Sequence, residues 1–339
     1  MKTDTEKRKT KLNICFLNMV VSLFLLCGCG GAEAPIEKTA PIQRTVVNAE
    51  PLENNETEEL IEPEEVQKKD GDYEVPEYRG SWFNRDASEG NGNVRLDLSS
   101  VSLGYIAVSV NSDTRIKFQV IKDGETYTYN VAKDGTPSVF PLQSGDGYYV
   151  FRVMQNIVDS KYAEIYHAER SVTIPDQFDP FLRPSDYINY SEESDCVAKA
   201  AEIASECDTA LDVIDGVYAY ICKTVKYDRE LAKDIPNGYL PDVDSTMKTG
   251  KGICFDYASL AAAMLRSQGI PTKVIFGYVS PNDVYHAWNM IYTEETGWIA
   301  VKIQVSENDW NRFDLTFSAN GADADFIGNG DHYSEVYQY

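Results

Sequence analysis

One cysteine and one histidine in the second half of the chain stand in sequence contexts that suit nucleophilic chemistry. Cys254 follows the glycine-flanked segment Gly250-Lys251-Gly252-Ile253 and opens a stretch with helical periodicity. His286 comes later, within Tyr285-His286-Ala287-Trp288-Asn289. A thiol whose proton is removed by a nearby imidazole is a strong nucleophile. The chain contains 3 histidines, and of these only His286 stands in such a context.

The periodicity after Cys254 predicts an amphipathic helix that begins at or next to the cysteine. Its apolar positions recur at steps of three and four residues, and Gly269 and Pro271 end it. Unpaired N–H groups and the helix dipole favour negative charge at a helix start, so we expect a lowered thiol pKa for Cys254. The same N–H groups could receive an oxyanion. Asp256, in the first turn, is expected to complement the dipole rather than to act in catalysis.

Alternating residues after this helix predict a series of strands. They cover 272–279, 285–292, 298–303 and 310–317, with turn residues at 280–283. His286 begins the second strand, where its ring can project toward a neighbouring helix end. Asp314, in the last strand, could orient the imidazole through its second nitrogen.

Taken in order, several motifs resemble the bacterial transglutaminase-like (transglutaminase-core) domain over residues 195–318. They are Gly250-Lys251-Gly252-Ile253-Cys254-Phe255-Asp256-Tyr257-Ala258, Gly269-Ile270-Pro271, Gly277-Tyr278, His286-Ala287-Trp288-Asn289, Asp314-Leu315-Thr316-Phe317, and upstream Val225-Lys226-Tyr227-Asp228 and Tyr239-Leu240-Pro241-Asp242. The resemblance implies a papain-like α+β fold. It also implies a triad of Cys254 as nucleophile, His286 as base and Asp314 as orienting acid.

The chain departs from the family pattern at Lys302. Many family members carry the acid directly after the strand that follows the histidine, and this chain has lysine there. A lysine cannot accept the imidazole N–H, so the acid is assigned to Asp314, with 304–311 as an inserted hairpin. The non-catalytic alternatives are that Cys254 is a buried structural cysteine, His286 a structural histidine and Asp314 a turn residue. They would make the domain a catalytically inactive surface binding or structural module.

The N-terminus has the pattern of a bacterial lipoprotein leader. Basic residues precede an apolar run over 14–26, which is shorter than the ~20 residues that a membrane-spanning helix needs. Leu26-Cys27-Gly28-Cys29 resembles a lipobox with Cys29 as the lipid-bearing residue; Cys27 is the alternative, and an uncleaved anchor is a further one. Each alternative predicts that the rest of the chain lies outside the cytoplasmic membrane.

The residues between the leader and the predicted catalytic domain divide into a tether and a β-rich segment. Residues 30–77 are acidic and proline-containing, which predicts an extended tether. Residues 78–175 alternate in short strands with turn signals, which predicts an Ig-like β-sandwich. His167 in the last of these strands is interpreted as structural. Two helices are predicted within 194–225, where Cys196, Cys207 and Cys222 lie as free thiols or, outside the cell, in a disulfide.

The sequence therefore predicts a multidomain protein. Its parts are a leader at 1–29, a tether at 30–77, a β-sandwich at 78–175 and an α+β catalytic domain at 176–339. We expect acyl transfer on a protein or peptide substrate at the cell surface, with possible cell-wall contact through the sandwich. The net charge of −23 argues against nucleic acid as a partner. No ligand motif predicts a metal or other cofactor.

Overall fold

In a computed structural model of the protein, residues 71–279, 284–305, 311–316 and 333–339 are described. They belong to one compact unit, Glu65–Tyr339. Cys29, the predicted leader and nearly all of the predicted tether lie outside the described residues. Within the described ranges, no helix is long and apolar enough to cross a membrane.

The N-terminal part of the unit consists of two antiparallel four-stranded sheets, which we call the N-terminal β region. The first sheet has the order β1-β2-β3-β6 and the second the order β5-β4-β7-β8. The strands are β1 Glu89–Gly90, β2 Val94–Asp97, β3 Tyr105–Val110, β4 Ile116–Lys122, β5 Glu125–Val131, β6 Ser138–Pro141, β7 Gly147–Val158 and β8 Lys161–Val172. This confirms the strand-rich character that the alternating sequence predicts.

Side chains from the two sheets meet in a common apolar core. The ring of Phe118 on β4 stacks on that of Phe140 on β6 at 5.4 Å and on that of Phe151 on β7 at 6.2 Å. All three rings are buried. Because successive residues of a strand point to opposite faces, Lys117 and Gln119 of β4 lie on the outward face of the second sheet.

Five α-helices follow in the part of the chain that the structure describes, and the last of them forms the centre of the C-terminal part. They are α1 Asp195–Ala204, α2 Ala210–Thr224, α3 Arg229–Lys233, α4 Val243–Thr249 and α5 Cys254–Ser267. Helices α2, α3 and α4 are capped at their N-termini by Thr209, Asp228 and Asp242. Each of these side chains accepts a hydrogen bond from a backbone N–H group of the first turn. Helix α5 is buried at every residue from Asp256 to Ser267. The predicted helix start at Cys254 is confirmed.

Helix α5 packs on a five-stranded antiparallel sheet of order β14-β13-β12-β11-β15. The strands are β11 Thr272–Val279, β12 Val284–Thr293, β13 Gly297–Val305, β14 Asn311–Thr316 and β15 Tyr333–Gln338. The predicted strands correspond to β11 to β14. Of the predicted hairpin at 304–311, residues 304, 305 and 311 belong to β13 and β14, and residues 306–310 lie outside the described residues. Strand β15 was not predicted.

A buried arginine joins α5 to the end of the chain. Arg266 donates to the carbonyl oxygens of Thr272 at 2.8 Å, Arg183 at 2.6 Å and Tyr339 at 3.3 Å. Burial lowers the pKa of the Arg266 guanidinium to about 10, so the group is still charged at neutral pH. Carbonyl oxygens therefore satisfy this cation, and they come from segments far apart in sequence.

Candidate active site

The segment before Cys254 is fixed by backbone pairing and by two glycines. Two short parallel strands, β9 Lys226–Tyr227 and β10 Lys251–Gly252, pair there. Gly250 ends α4 with a φ of 61°, a conformation that glycine adopts at little cost. A Cβ at Gly252 would lie 2.5 Å from the Asp256 side chain, so only glycine fits at this close approach. These constraints place Cys254 as the first residue of α5.

Asp256 holds the start of α5 through two hydrogen bonds to a buried carboxylate. The Ile253 N–H donates to its Oδ2 at 2.7 Å, and the Tyr239 hydroxyl donates to its Oδ1 at 2.6 Å. Burial raises the pKa of Asp256, and the two hydrogen bonds act in the opposite direction. The first-turn position agrees with the expectation from sequence, and the contact with Tyr239 adds a link that the sequence did not suggest.

The structure contradicts the expected lowering of the Cys254 thiol pKa. Burial raises this pKa above its usual value and is the largest effect. The backbone N–H groups of Ala287, Phe255 and Cys254 lower it in part. The helix start therefore supplies the expected N–H groups, but desolvation of the thiolate outweighs them. An additional positive charge, such as a protonated imidazole, is needed to form the thiolate at neutral pH.

Cys254 and His286 line the same small pocket. The other lining residues come from α2, β9, α5, β12 and β13: Tyr218, Tyr227, Tyr257, Ala258, Ala287, Trp288, Asn289 and Val301. The free volume of this pocket is about 10 Å³, roughly the space of one water molecule. The structure thus brings the predicted nucleophile and base together in a narrow, mostly apolar site.

A buried amide holds the histidine strand against the cysteine helix. Asn289, three residues after His286, donates from Nδ2 to the carbonyl oxygens of Ala258 at 2.9 Å and Lys273 at 3.2 Å. Its Oδ1 accepts the Tyr218 hydroxyl at 2.7 Å. These bonds join β12 to α5, β11 and α2, and we call them the Asn289 clamp. The His-Ala-Trp-Asn motif contained this residue, but its role required the tertiary structure.

The backbone places one strand between Asp314 and the strand that carries His286. Lys302 on β13 pairs directly with Asp314 on β14. Strand β13 itself lies between β12 and β14. At a spacing of ~4.8 Å between neighbouring strands, β12 and β14 are separated by ~9.6 Å. The side chains of Lys302 and Asp314 lie outside the described residues, and the orienting role of Asp314 remains a prediction.

The other described cysteines and histidine differ from the pocket pair. Cys196, Cys207 and Cys222 are free thiols whose pKa values are raised, in each case chiefly by burial. His167 is exposed on β8, and its Nδ1 lies 2.8 Å from Glu164. Within the described ranges, no group of three or more histidine, cysteine or acidic side chains could hold a metal ion.

Comparison with protein families identifies the domain around the pocket. The model of the transglutaminase-like superfamily matches residues 197–303. The match includes Cys254 and His286 and ends before Asp314. It confirms the resemblance to a transglutaminase-like domain that the motifs indicated. The comparison with curated proteins gives no match.

Several solved structures are similar to parts of the chain. One is a proposed cysteine protease from Cytophaga hutchinsonii, with 16% identity and a TM-score of 0.33 over 57% of this chain and 68% of that one. A TGase structure has 20% identity and a TM-score of 0.27, covering 44% and 42% of the respective chains. Red sea bream transglutaminase has 15% identity and a TM-score of 0.26, covering 61% and 49%. This chain thus spans less than half of either transglutaminase.

Proposed function

Because residues 197–303 form a transglutaminase-like domain, we propose that the protein is a cysteine acyl-transfer enzyme acting on amide bonds. The observation that carries the proposal is the pocket that Cys254 and His286 share. Tyr227 and Asn289 are among its other lining residues. The thiol there is half-buried and surrounded by backbone N–H groups.

The proposed reaction begins with proton transfer from the Cys254 thiol to His286. The thiolate attacks the carbonyl carbon of an amide, forming a C–S bond and a tetrahedral oxyanion. The C–N bond then breaks, and the imidazolium returns the proton to the leaving amine. Water, activated by the neutral imidazole, attacks the thioester and releases the acid and the free thiol. An amine in place of water would give a cross-link; hydrolysis is favoured because water is the default acceptor.

Electrostatic balance explains why the cysteine and the histidine would act together. Burial opposes an isolated thiolate at Cys254, whereas an adjacent imidazolium converts the site to an ion pair. The N–H groups at the start of α5 would stabilise the oxyanion. Asp314 is proposed to orient the ring of His286 in the tautomer that accepts the thiol proton.

The remaining parts of the chain suggest where this enzyme would work. The lipobox-like sequence supports lipid attachment at Cys29 and a place on the outer side of the bacterial cytoplasmic membrane. The N-terminal β region is proposed to be an Ig-like β-sandwich domain. Surface proteins or cell-wall peptides are the substrates that such a location would offer.

A second candidate function is a binding or structural module that has lost catalysis. The raised pKa of the Cys254 thiol and the narrow pocket favour this alternative. So does Lys302 at the position where many family members have the acid. A reactive thiolate would contradict the alternative, and this provides the test.

The test is alkylation of the folded protein by iodoacetamide at pH 6, followed by peptide mapping. An enzyme should label at Cys254 faster than at Cys196, Cys207 or Cys222, since Cys254 shares its pocket with His286. Labelling should fall sharply in His286→Ala because the ion pair is lost. His167→Ala is the matched control, since this histidine is exposed on β8 beside Glu164, and its removal should leave the rate unchanged. Slow Cys254 labelling that is insensitive to His286→Ala would favour the binding module.

A further inference from the structure

A large cavity lies on the outward face of the second sheet of the N-terminal β region. Its volume is about 850 Å³. It is lined by residues in and next to β4 and β5, by residues of β7 and β8 and of the turn between them, and by Asn237 and Gly238. Small-molecule and cofactor sites in proteins have volumes of roughly 300–1,000 Å³. The cavity shares no lining residue with the Cys254 pocket.

Three cations line this cavity without a carboxylate partner among the described residues. The Arg115 guanidinium donates to the Asp159 carbonyl oxygen at 2.8 Å. The Lys133 ammonium donates to the Asp113 carbonyl oxygen at 3.1 Å. The Lys117 ammonium lies 5.3 Å from the centroid of the Tyr162 ring. None of these three contacts is made to a carboxylate.

A group of cations without carboxylate partners is unusual in so acidic a protein. The protein has a net charge of −23, with 54 acidic and 31 basic residues. On the same outward face, Arg152 is neutralised by Glu164 at 3.4 Å. Only one of the residues that line the cavity, Asp159, is acidic. A ligand with negative charge would supply the missing partners.

Neutral hydrogen-bonding side chains stand beside the cations. Asn130 is opposite Lys117 in the pairing of β4 and β5, and Thr128 is opposite Gln119. Asn237 adds a further amide on the facing wall. Amide side chains can donate hydrogen bonds to peptide C=O groups and accept them from peptide N–H groups. A phosphate ion would need only donors, so the amides favour a peptide ligand.

We propose that this cavity binds a short anionic peptide. Its carboxylates contact Arg115, Lys117 and Lys133, and its peptide groups contact Gln119 and Asn130. A short anionic ligand suits the site better than a long polyanion, because the net negative charge of the whole protein would repel the long one. The proposal is independent of the function proposed for Cys254, and it gives the N-terminal β region a binding role.

The experiment measures binding of fluorescein-labelled tetraglutamate to the full chain. Fluorescence anisotropy is the readout, at low and at physiological ionic strength. Lys117→Gln with Lys133→Gln should raise Kd by at least about tenfold, which is ~1.4 kcal/mol. Lys223→Gln with Lys248→Gln is the matched control, since both lysines are exposed and lie outside the cavity. This control changes the net charge by the same amount as the cavity variant. Its Kd should stay within about twofold of the wild-type value, because distant exposed charges are screened. Cys254→Ala should bind as the wild type does.

Three results would overturn the proposal. The first is an absence of tetraglutamate binding at millimolar concentration. The second is an equal loss of affinity in the two double variants, which would indicate a general charge effect. The third is tighter binding of tripolyphosphate than of tetraglutamate in competition, which would make the cavity a phosphate site. Tetraglutamine as a neutral peptide control should bind at least about tenfold more weakly.

Discussion

Replacing Asn289 by alanine should destabilise the protein and separate the strand of His286 from the helix of Cys254. The change removes three hydrogen bonds, to Tyr218, Ala258 and Lys273, in a site where Asn289 is 2% exposed. Each buried hydrogen bond contributes ~0.5–1.5 kcal/mol, and an unsatisfied buried partner costs ~1–3 kcal/mol. We expect a loss of ~3 kcal/mol in the free energy of unfolding, measured by urea denaturation.

A double-mutant cycle with Tyr218→Phe makes this prediction specific. Tyr218→Phe removes only the hydroxyl that donates to Asn289 and should cost ~1–2 kcal/mol. The double variant should lose less than the sum of the two single losses, since the two side chains share one bond. Asn130→Ala, at an exposed asparagine, is the control and should change stability by no more than ~0.5 kcal/mol. A comparably small effect of Asn289→Ala would refute the clamp.

Three further predictions concern other positions. Cys29→Ser should release the protein from the membrane or leave its leader unprocessed, because two acyl chains give stable anchoring; the same result for Cys27→Ser alone would shift the lipidation site. Between pH 9.0 and about 11, folded Cys222 keeps the proton that the unfolded chain loses, so stability falls as pH rises; Cys222→Ala should flatten this fall in urea titrations. Asp314→Asn should slow Cys254 labelling by a carbonyl-based probe by roughly 10²-fold or more, and Asp309→Asn should not.

The elements that carry local sequence signals were predictable. Gly269 and Pro271 marked the end of α5, and the alternation after them gave β11 and β12 almost residue by residue. Periodicity and turn chemistry act over a few residues, so a single sequence contains them in full. The same local signals placed Cys254 at a helix start and His286 on the neighbouring strand.

The features that depend on distant partners were not predictable. Strand β15 pairs with β11 although a long segment separates them in sequence. The buried Arg266 donates to carbonyl groups of two remote residues, Arg183 and Tyr339, as well as to nearby Thr272. For the same reason, the lowered pKa that the sequence predicted for Cys254 was wrong. The helix start is local, whereas desolvation is produced by residues of α2, β9 and β12 that surround the thiol.

The orienting role proposed for Asp314 would have to act across an intervening strand. Many family members carry the acid directly after the strand that follows the histidine. Here that position is Lys302, and its cross-strand partner is Asp314. A carboxylate beyond an intervening strand orients a ring less directly than one on the adjacent strand. The backbone of His286 is instead fixed by the Asn289 clamp, which ties β12 to the helix of Cys254. The two variants therefore separate two roles. Asn289→Ala should lower both stability and thiol reactivity, whereas Asp314→Asn should lower reactivity in a protein of unchanged stability.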